Sequence, residues 1–225
     1  MPVRCLLLAA CLILGSGIPA FAGQPRVVRE NIEWLDVWVP DVNAHGLPRV
    51  LLLGDSITRG YGPEVEQKLK GKAYVARLAT SKSLGDPALL AEVKLVLGET
   101  HFDVIHFNNG LHGWDYTEQE YAQAFPDLVR TLRQGARGAK LIWATTTPVR
   151  EAGQLNQLSP RTERVKTRNR MAGEIAAREH IPVDDLFRLV EDHPEYYGKD
   201  GVHFNSQGVA AEATQVAGKI QEVLK

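Results

Sequence analysis

The 225-residue chain balances 26 lysines and arginines against 27 aspartates and glutamates, for a net charge of −1. With no basic excess, neither nucleic acid nor an anionic membrane surface is an implied partner. Its two cysteines, Cys5 and Cys11, both fall near the start, so the remainder has no thiolate for a zinc site or for nucleophilic attack.

Residues 1–22 have the pattern of a secretory signal. Arg4 precedes an apolar run from Cys5 to Leu14, and Ala20-Phe21-Ala22 supplies small residues before Gly23. Cleavage is expected after Ala22, with export to the periplasm or the medium. The apolar run falls short of the ~20 residues that an integral membrane span needs. Leu8-Ala9-Ala10-Cys11 resembles a lipidation box but lies too early, with apolar sequence continuing past it. Residues 23–48 are expected to form an arm packed on the domain. Within it Trp34 and Trp38, four apart, suit a helical turn or, by alternation, a short strand. They are read as covering one face of a sheet, with substrate contact as the other reading. Residues 49–225 contain no repeat or linker and are expected to be one domain, long enough to bury ~70% of its surface without disulfides.

Val50-Leu51-Leu52-Leu53 is too short an apolar run for a helix and reads as a strand buried on both faces. Gly54-Asp55-Ser56 ends it, and a short helix is expected over 64–69. A second strand follows at 74–78. Asp86-Pro87 then gives a capping carboxylate before a proline at the first helical position, with Leu89, Leu90, Val93 and Leu97 as the apolar stripe. Residues 102–107 form a third buried strand. Tyr121, Phe125, Leu128, Val129 and Leu132 mark a helix that closes at Gly135. Leu141-Ile142-Trp143-Ala144 is the fourth strand, Ser159-Pro160 opens a helix running to about Arg178, and Ile181-Pro182-Val183 suits a short edge strand. Val209, Ala213, Val216, Ala217, Ile220 and Leu224 line the last helix. This alternation predicts an α/β fold with a parallel sheet covered by helices on both faces.

The end of the first strand places Ser56 where open α/β sheets bind and transform ligands. Ser56 fits two roles there, nucleophile or cap of the next helix. Far along the chain, Asp200-Gly201-Val202-His203 puts a carboxylate three residues before an imidazole. Such an aspartate can hold Nδ1–H and leave Nε2 free to take a serine proton.

Together these blocks resemble the SGNH (GDSL-type) hydrolase family, from about Arg49 to the C-terminus. The resemblance implies a three-layer, flavodoxin-like, mostly parallel five-stranded sheet and a catalytic set of Ser56, Asp200 and His203. Ser83-Leu84-Gly85-Asp86 fits the family's second block, with the Gly85 N–H in the oxyanion hole beside that of Ser56. The third block, Gly-x-Asn-Asp in the family, departs from the pattern, and two registers fit. Gly110-Leu111-His112-Gly113 keeps the glycine and puts His112 in the donor's place. His106-Phe107-Asn108-Asn109 keeps an asparagine, Asn108, but loses the glycine and aspartate. The first is preferred, because a neutral imidazole N–H can also donate to an oxyanion.

The chemistry implied is ester hydrolysis with no cofactor. His101, His106 and His112 match no metal-ligand spacing, so no metal site is expected; His106 reads as a satisfied strand histidine. The arginines from Arg161 to Arg178 read as a solvated face, balanced by Glu163, Glu174 and Glu179. Asp55, Tyr61, Asn109, Trp114 and Arg150 are the candidate substrate contacts, with Asp115 and Tyr116 beside them. Aromatic faces mixed with hydrogen-bonding groups suit a sugar ring better than an acyl chain. The expected substrate is therefore a small-molecule or polysaccharide ester, acetylated carbohydrate foremost. A lysophospholipase or short-chain lipase is one alternative, and a non-catalytic carbohydrate-binding protein on a hydrolase fold is another.

Overall fold

A computed structural model describes residues 26–225. The expected signal segment and its expected cleavage after Ala22 lie outside the described residues. In chain order the elements are β1 (Leu35–Trp38), β2 (Arg49–Gly54), α1 (Ser56–Lys68), β3 (Tyr74–Thr80), α2 (Pro87–Glu99), β4 (Val104–Phe107), α3 (Glu118–Gly135), β5 (Lys140–Ala144), β6 (Arg150–Glu151), β7 (Gln154–Leu158), α4 (Arg161–Arg178), β8 (Val183–Asp184), α5 (Leu186–Val190) and α6 (Ser206–Leu224).

The main sheet has the order β1-β3-β2-β4-β5-β8. Five of its strands run parallel, as the alternating pattern predicts. The expected five-stranded sheet gains a sixth strand, because β1 of the arm pairs antiparallel with β3, Asp36 opposite Ala79 and Trp38 opposite Arg77. Alternation, not helical spacing, therefore describes Trp34 to Trp38. An Arg77–Asp36 ion pair at 3.2 Å ties this edge strand across the ladder. The polar hairpin β6–β7 was not evident in the sequence, since its residues carry no apolar period.

Period-two alternation along β2 divides the interior in two. Val50 and Leu52 face Ile57, Tyr61 and Val65 of α1 and Ala213, Val216 and Ile220 of α6. Leu51 and Leu53 face Leu89 and Val93 of α2, Phe125, Leu128 and Leu132 of α3, and Ala172 and Ile175 of α4. Every residue of β2 is buried, as a central strand between two helical layers must be. Asp86 caps α2 through Ala88 N–H with Pro87 at the first position, as the sequence predicts. Thr117 and Glu120 add a reciprocal capping box to α3. The first helix starts at Ser56, well before the expected 64–69, because Asp55 and not Ser56 is its cap.

One buried group is out of keeping with this apolar packing. Glu212 of α6 is wholly buried, and neither carboxylate oxygen has a hydrogen-bond partner. Burial, and then the nearby carboxylates of Asp55 and Asp184, hold its pKa well above the usual carboxylate range. A carboxyl whose folded pKa is raised contributes its stability below the unfolded value and loses it as pH rises. Glu212→Gln is thus expected to raise the thermal midpoint, by more at pH 8 than at pH 5. Calorimetry at the two pH values checks this, and an equal shift at both would count against a neutral Glu212.

Candidate active site

The site begins at a turn with no spare room. A Cβ on Gly54 would meet Thr58 Oγ1 at 2.1 Å and Thr58 Cβ at 2.9 Å, so β2 can pass into α1 only through glycine. Asp55 follows, wholly buried, with Oδ1 accepting from Ile57 N–H at 3.0 Å. Its carboxylate caps the helix from inside the protein and cannot meet a substrate, contrary to its assignment as a contact. Because Asp55 does the capping, the Ser56 side chain is left for other partners.

That partner is His203. Its Nε2 lies 2.9 Å from Ser56 Oγ, and its Nδ1 lies 2.7 Å from Asp200 Oδ2. The other oxygen, Asp200 Oδ1, accepts from the backbone N–H groups of Val202 and His203, each at 2.9 Å. Burial would raise the Asp200 pKa, but the His203 bond and these two N–H groups outweigh it and hold the pKa below the usual range. The carboxylate is thus ionised wherever His203 can act as a base. Gly201, between them, has φ +73°, and a Cβ there would meet Arg150 O at 2.2 Å. Both the left-handed backbone and the contact require glycine.

Arg150 explains that contact. It is buried, its backbone N–H donates to Gly201 O at 2.7 Å, and its guanidinium bonds Leu155 O and Glu191 O beneath the ring of Tyr197. It buttresses the Asp200–His203 loop and does not face substrate. Tyr61 is likewise corrected: it is 1% exposed, with its hydroxyl on Thr58 Oγ1 at 3.0 Å. Asn109 is buried and ties its loop to Lys82 O at 2.8 Å. Trp114 keeps partial exposure, but the guanidinium groups of Arg161, Arg164 and Arg168 surround its ring. Tyr116 is buried and bonds the arm through Val28 N–H and Arg26 O. His106 is a satisfied strand histidine on one side, its Nε2 2.9 Å from Asp184 Oδ2 with both side chains fully buried.

The two registers of the third block separate on hydrogen bonding. The Asn108 amide is engaged, Nδ2 donating to Ala144 O at 2.7 Å and to Thr146 Oγ1 at 3.2 Å. His112 keeps a 17% exposed side chain, with Nδ1 3.2 Å from Glu30 Oε1 and its ring edge-on to Trp34. Among the described residues its Nε2 has no partner, and neither the Ser56 nor the Gly85 N–H donates to a protein acceptor. The Asn108 amide is thus committed to the fold, whereas His112 keeps a ring nitrogen without a partner among the described residues.

Sequence reading missed two residues that shape this loop. Glu30 lies in the arm, which carries no motif. Arg168 was counted with a solvated face, yet it is 1% exposed and donates to the carbonyls of Gly110, His112 and Gly113 at 2.9, 3.0 and 3.1 Å, and to that of Tyr116 at 3.4 Å. Its position was legible: Val165, Arg168, Ala172 and Ile175 share one helical face. Arg170 and Glu174, on the outer face, pair in solvent as expected. Arg168→Lys cannot reproduce a planar fork on several carbonyls. It should lower stability by roughly 2 kcal/mol and speed amide hydrogen exchange over residues 110–116. Exchange in β2 and β4 should stay slow; uniform loosening of the whole chain would contradict a local clamp.

Residues 103–211 match the model of the GDSL-like Lipase/Acylhydrolase family. No curated protein matches the chain. Among solved structures, the aryl esterase of M. smegmatis superposes with a TM-score of 0.66 at 16% identity, covering 78% of this chain and 99% of that one. A carbohydrate acetylesterase from Sinorhizobium meliloti gives 0.65 at 15% identity, covering 78% and 99%. A GDSL-like lipase from Bacteroides thetaiotaomicron gives 0.63 at 15%, covering 78% and 89%. At such identities these likenesses speak for the fold, a mostly parallel sheet between helical layers. Residues 103–211 thus carry a GDSL-like lipase/acylhydrolase domain, and with the strand order this match makes the chain an ester-bond hydrolase.

Proposed function

We infer that the protein is an exported serine esterase that removes small acyl groups, acetyl foremost, from carbohydrate. In this reading residues 49–225 form the hydrolase domain, residues 23–48 the arm packed on it, and residues 1–22 a cleaved signal. The observation that carries the mechanism is the unbroken relay from Asp200 through His203 to Ser56, at 2.7 and 2.9 Å.

Each step follows from proton positions. Asp200 accepts Nδ1–H of His203, so Nε2 presents its lone pair to the Ser56 hydroxyl. As Ser56 Oγ attacks the ester carbonyl, His203 takes its proton, and Asp200 stabilises the imidazolium formed. His203 then returns the proton to the leaving alkoxide, which departs as the alcohol and leaves an acyl group on Ser56. Water repeats the sequence in reverse and frees the acid. Negative charge on the carbonyl oxygen meets the N–H groups of Ser56 and Gly85 and the His112 side chain. Loss of one such donor costs about 3 kcal/mol of transition-state stabilisation.

The substrate class is supported by the openness of the site. The side chains of Asp200 and His203 are about half exposed, which suits a short acyl group carried on a bulky polar alcohol. A long acyl chain would need an apolar cleft around the nucleophile. A solved structure of similar fold is a carbohydrate acetylesterase. Export fits an external polysaccharide, and among the described residues no helix is long and apolar enough to cross a membrane.

Ser56→Ala and His203→Ala should each abolish nearly all ester hydrolysis, and the double substitution should be barely worse than either. Initial rates on p-nitrophenyl esters of rising chain length, with acetate release from acetylated polysaccharide, give the readout. Rates should peak at acetate, and a fluorophosphonate should label only protein that retains Ser56. A maximum at octanoate or longer would move the substrate to lipid, and hydrolysis persisting in Ser56→Ala would end the serine mechanism.

A further inference from the structure

His112 and Glu30 meet across 82 positions of sequence, and their contact fixes where a proton must lie. Glu30 Oε1 stands 3.2 Å from His112 Nδ1. A carboxylate only accepts, so the hydrogen between them sits on Nδ1. A neutral imidazole has a single N–H. With that one given to Glu30, Nε2 offers a lone pair, which would repel an oxyanion. Only the doubly protonated ring can be held through Nδ1 and still donate from Nε2. This departs from the neutral donor expected from the sequence.

We propose that His112 serves the oxyanion hole as an imidazolium, and that Glu30 is the positioning residue that orients it and balances its charge. The proposal rests on the serine-esterase reading above and adds a second carboxylate–histidine pair to it. The two pairs have opposite requirements. His203, held by Asp200, must be neutral to accept the Ser56 proton. His112, held by Glu30, must be protonated to donate. A charged donor also makes a hydrogen bond roughly twice as strong as a neutral one, which suits a residue standing where the family has a side-chain amide.

The surroundings of His112 support the assignment. Glu30 is itself fixed, since its backbone N–H donates to Glu33 Oε1 at 2.8 Å and its neighbour Arg29 pairs with Asp86 at 3.1 Å. From the arm, the Trp34 ring meets the imidazole edge-on at 6.3 Å, and Arg59 of α1 lies over that indole at 4.3 Å. From α4, Arg168 donates to the His112 carbonyl. From the loop after β3, Lys82 pairs with Glu33. In the following turn, Arg26 bonds the Asp115 carbonyl. Among these charged groups only Glu30 bonds the ring, so it is the anion whose removal the ring should register.

The test is the pH profile of kcat/KM for p-nitrophenyl acetate between pH 5 and 10. The wild type should give a bell, with a rising and a falling limb. Glu30→Gln keeps an acceptor oxygen but removes the charge. Its falling limb should move down by about one pH unit or more, with the rising limb unmoved and the maximum lowered about tenfold. Glu30→Asp should restore part of the shift. His112→Asn supplies a donor that does not titrate, so the falling limb should vanish, and adding Glu30→Gln to it should change nothing further. A Glu30→Gln profile that overlays the wild type, a wild-type profile with no falling limb, or a limb that survives His112→Asn would each overturn the proposal. Should Glu30→Gln fail to fold, nitrogen NMR of the wild-type ring decides. Two protonated nitrogens near neutral pH support the imidazolium, and a bare Nε2 overturns it. Ser56→Ala keeps the two readings apart: activity there defeats the esterase mechanism itself, whereas an inactive Ser56→Ala with an unmoved Glu30→Gln limb removes only the role of Glu30.

Discussion

The geometry of this protein depends on one buried carboxylate. Asp55 must turn a strand enclosed on both faces into a helix without leaving the interior, and it does so by accepting the Ile57 N–H. The consequences spread through the layer between the sheet and α6. Among the described residues Asp55 Oδ2 has no hydrogen-bond partner, and burial with the nearby Asp55 and Asp184 carboxylates raises the Glu212 pKa. Burial, with the carboxylates of Asp184 and Asp55 behind it, pushes the Tyr61 phenol up even though Thr58 bonds it. A polar layer thus lies beneath the turn that carries Ser56. It is tolerable because its members are held neutral or paired, as Asp184 is by His106 and Gln215.

The rest of the site is assembled from loops far apart in sequence, and arginines are the means. Arg168 gathers the carbonyls of the loop after β4, and Arg164 holds Trp114 O and Tyr116 O at 2.7 and 2.8 Å while pairing with Glu118. Arg150 braces the Asp200–His203 loop through its backbone N–H on Gly201 O, while its guanidinium holds Leu155 O and Glu191 O. Guanidinium suits this task because its donors lie in one plane and reach several acceptors at once.

Much of this was legible in the sequence. The parallel strands showed as short apolar runs, and α2 announced itself through Asp86-Pro87. Ser56, Asp200 and His203 stood out as a strand-end serine and a late Asp-x-x-His, joined into one set by the family that the two blocks resemble. The candidate substrate contacts fared worse for a physical reason. Aromatic and charged residues near a site are as useful for building it as for touching ligand, and composition does not separate the two. Tyr61, Asn109 and Arg150 are buried supports. Arg168 was hidden by its neighbours Arg164 and Arg170, although its own helical face is apolar. Glu30 could not be found at all, since its role exists only once the arm is laid along loops that lie 50 to 90 residues away.

The arm brings ionic strength into catalysis. It reaches the site loops and the sheet edge through Arg29–Asp86, Glu30–His112, Glu33–Lys82 and Asp36–Arg77, pairs with at least one partly exposed member. Such pairs weaken as the screening length shrinks from ~10 Å at 0.1 M salt to ~3 Å at 1 M. The core beneath them is apolar and, if anything, tightens in salting-out ions. Salt thus acts on this enzyme in two directions at once, firming the scaffold while loosening the strap that orients the oxyanion donor. A natural medium of high salinity would select against this arrangement, whereas a dilute one would favour it.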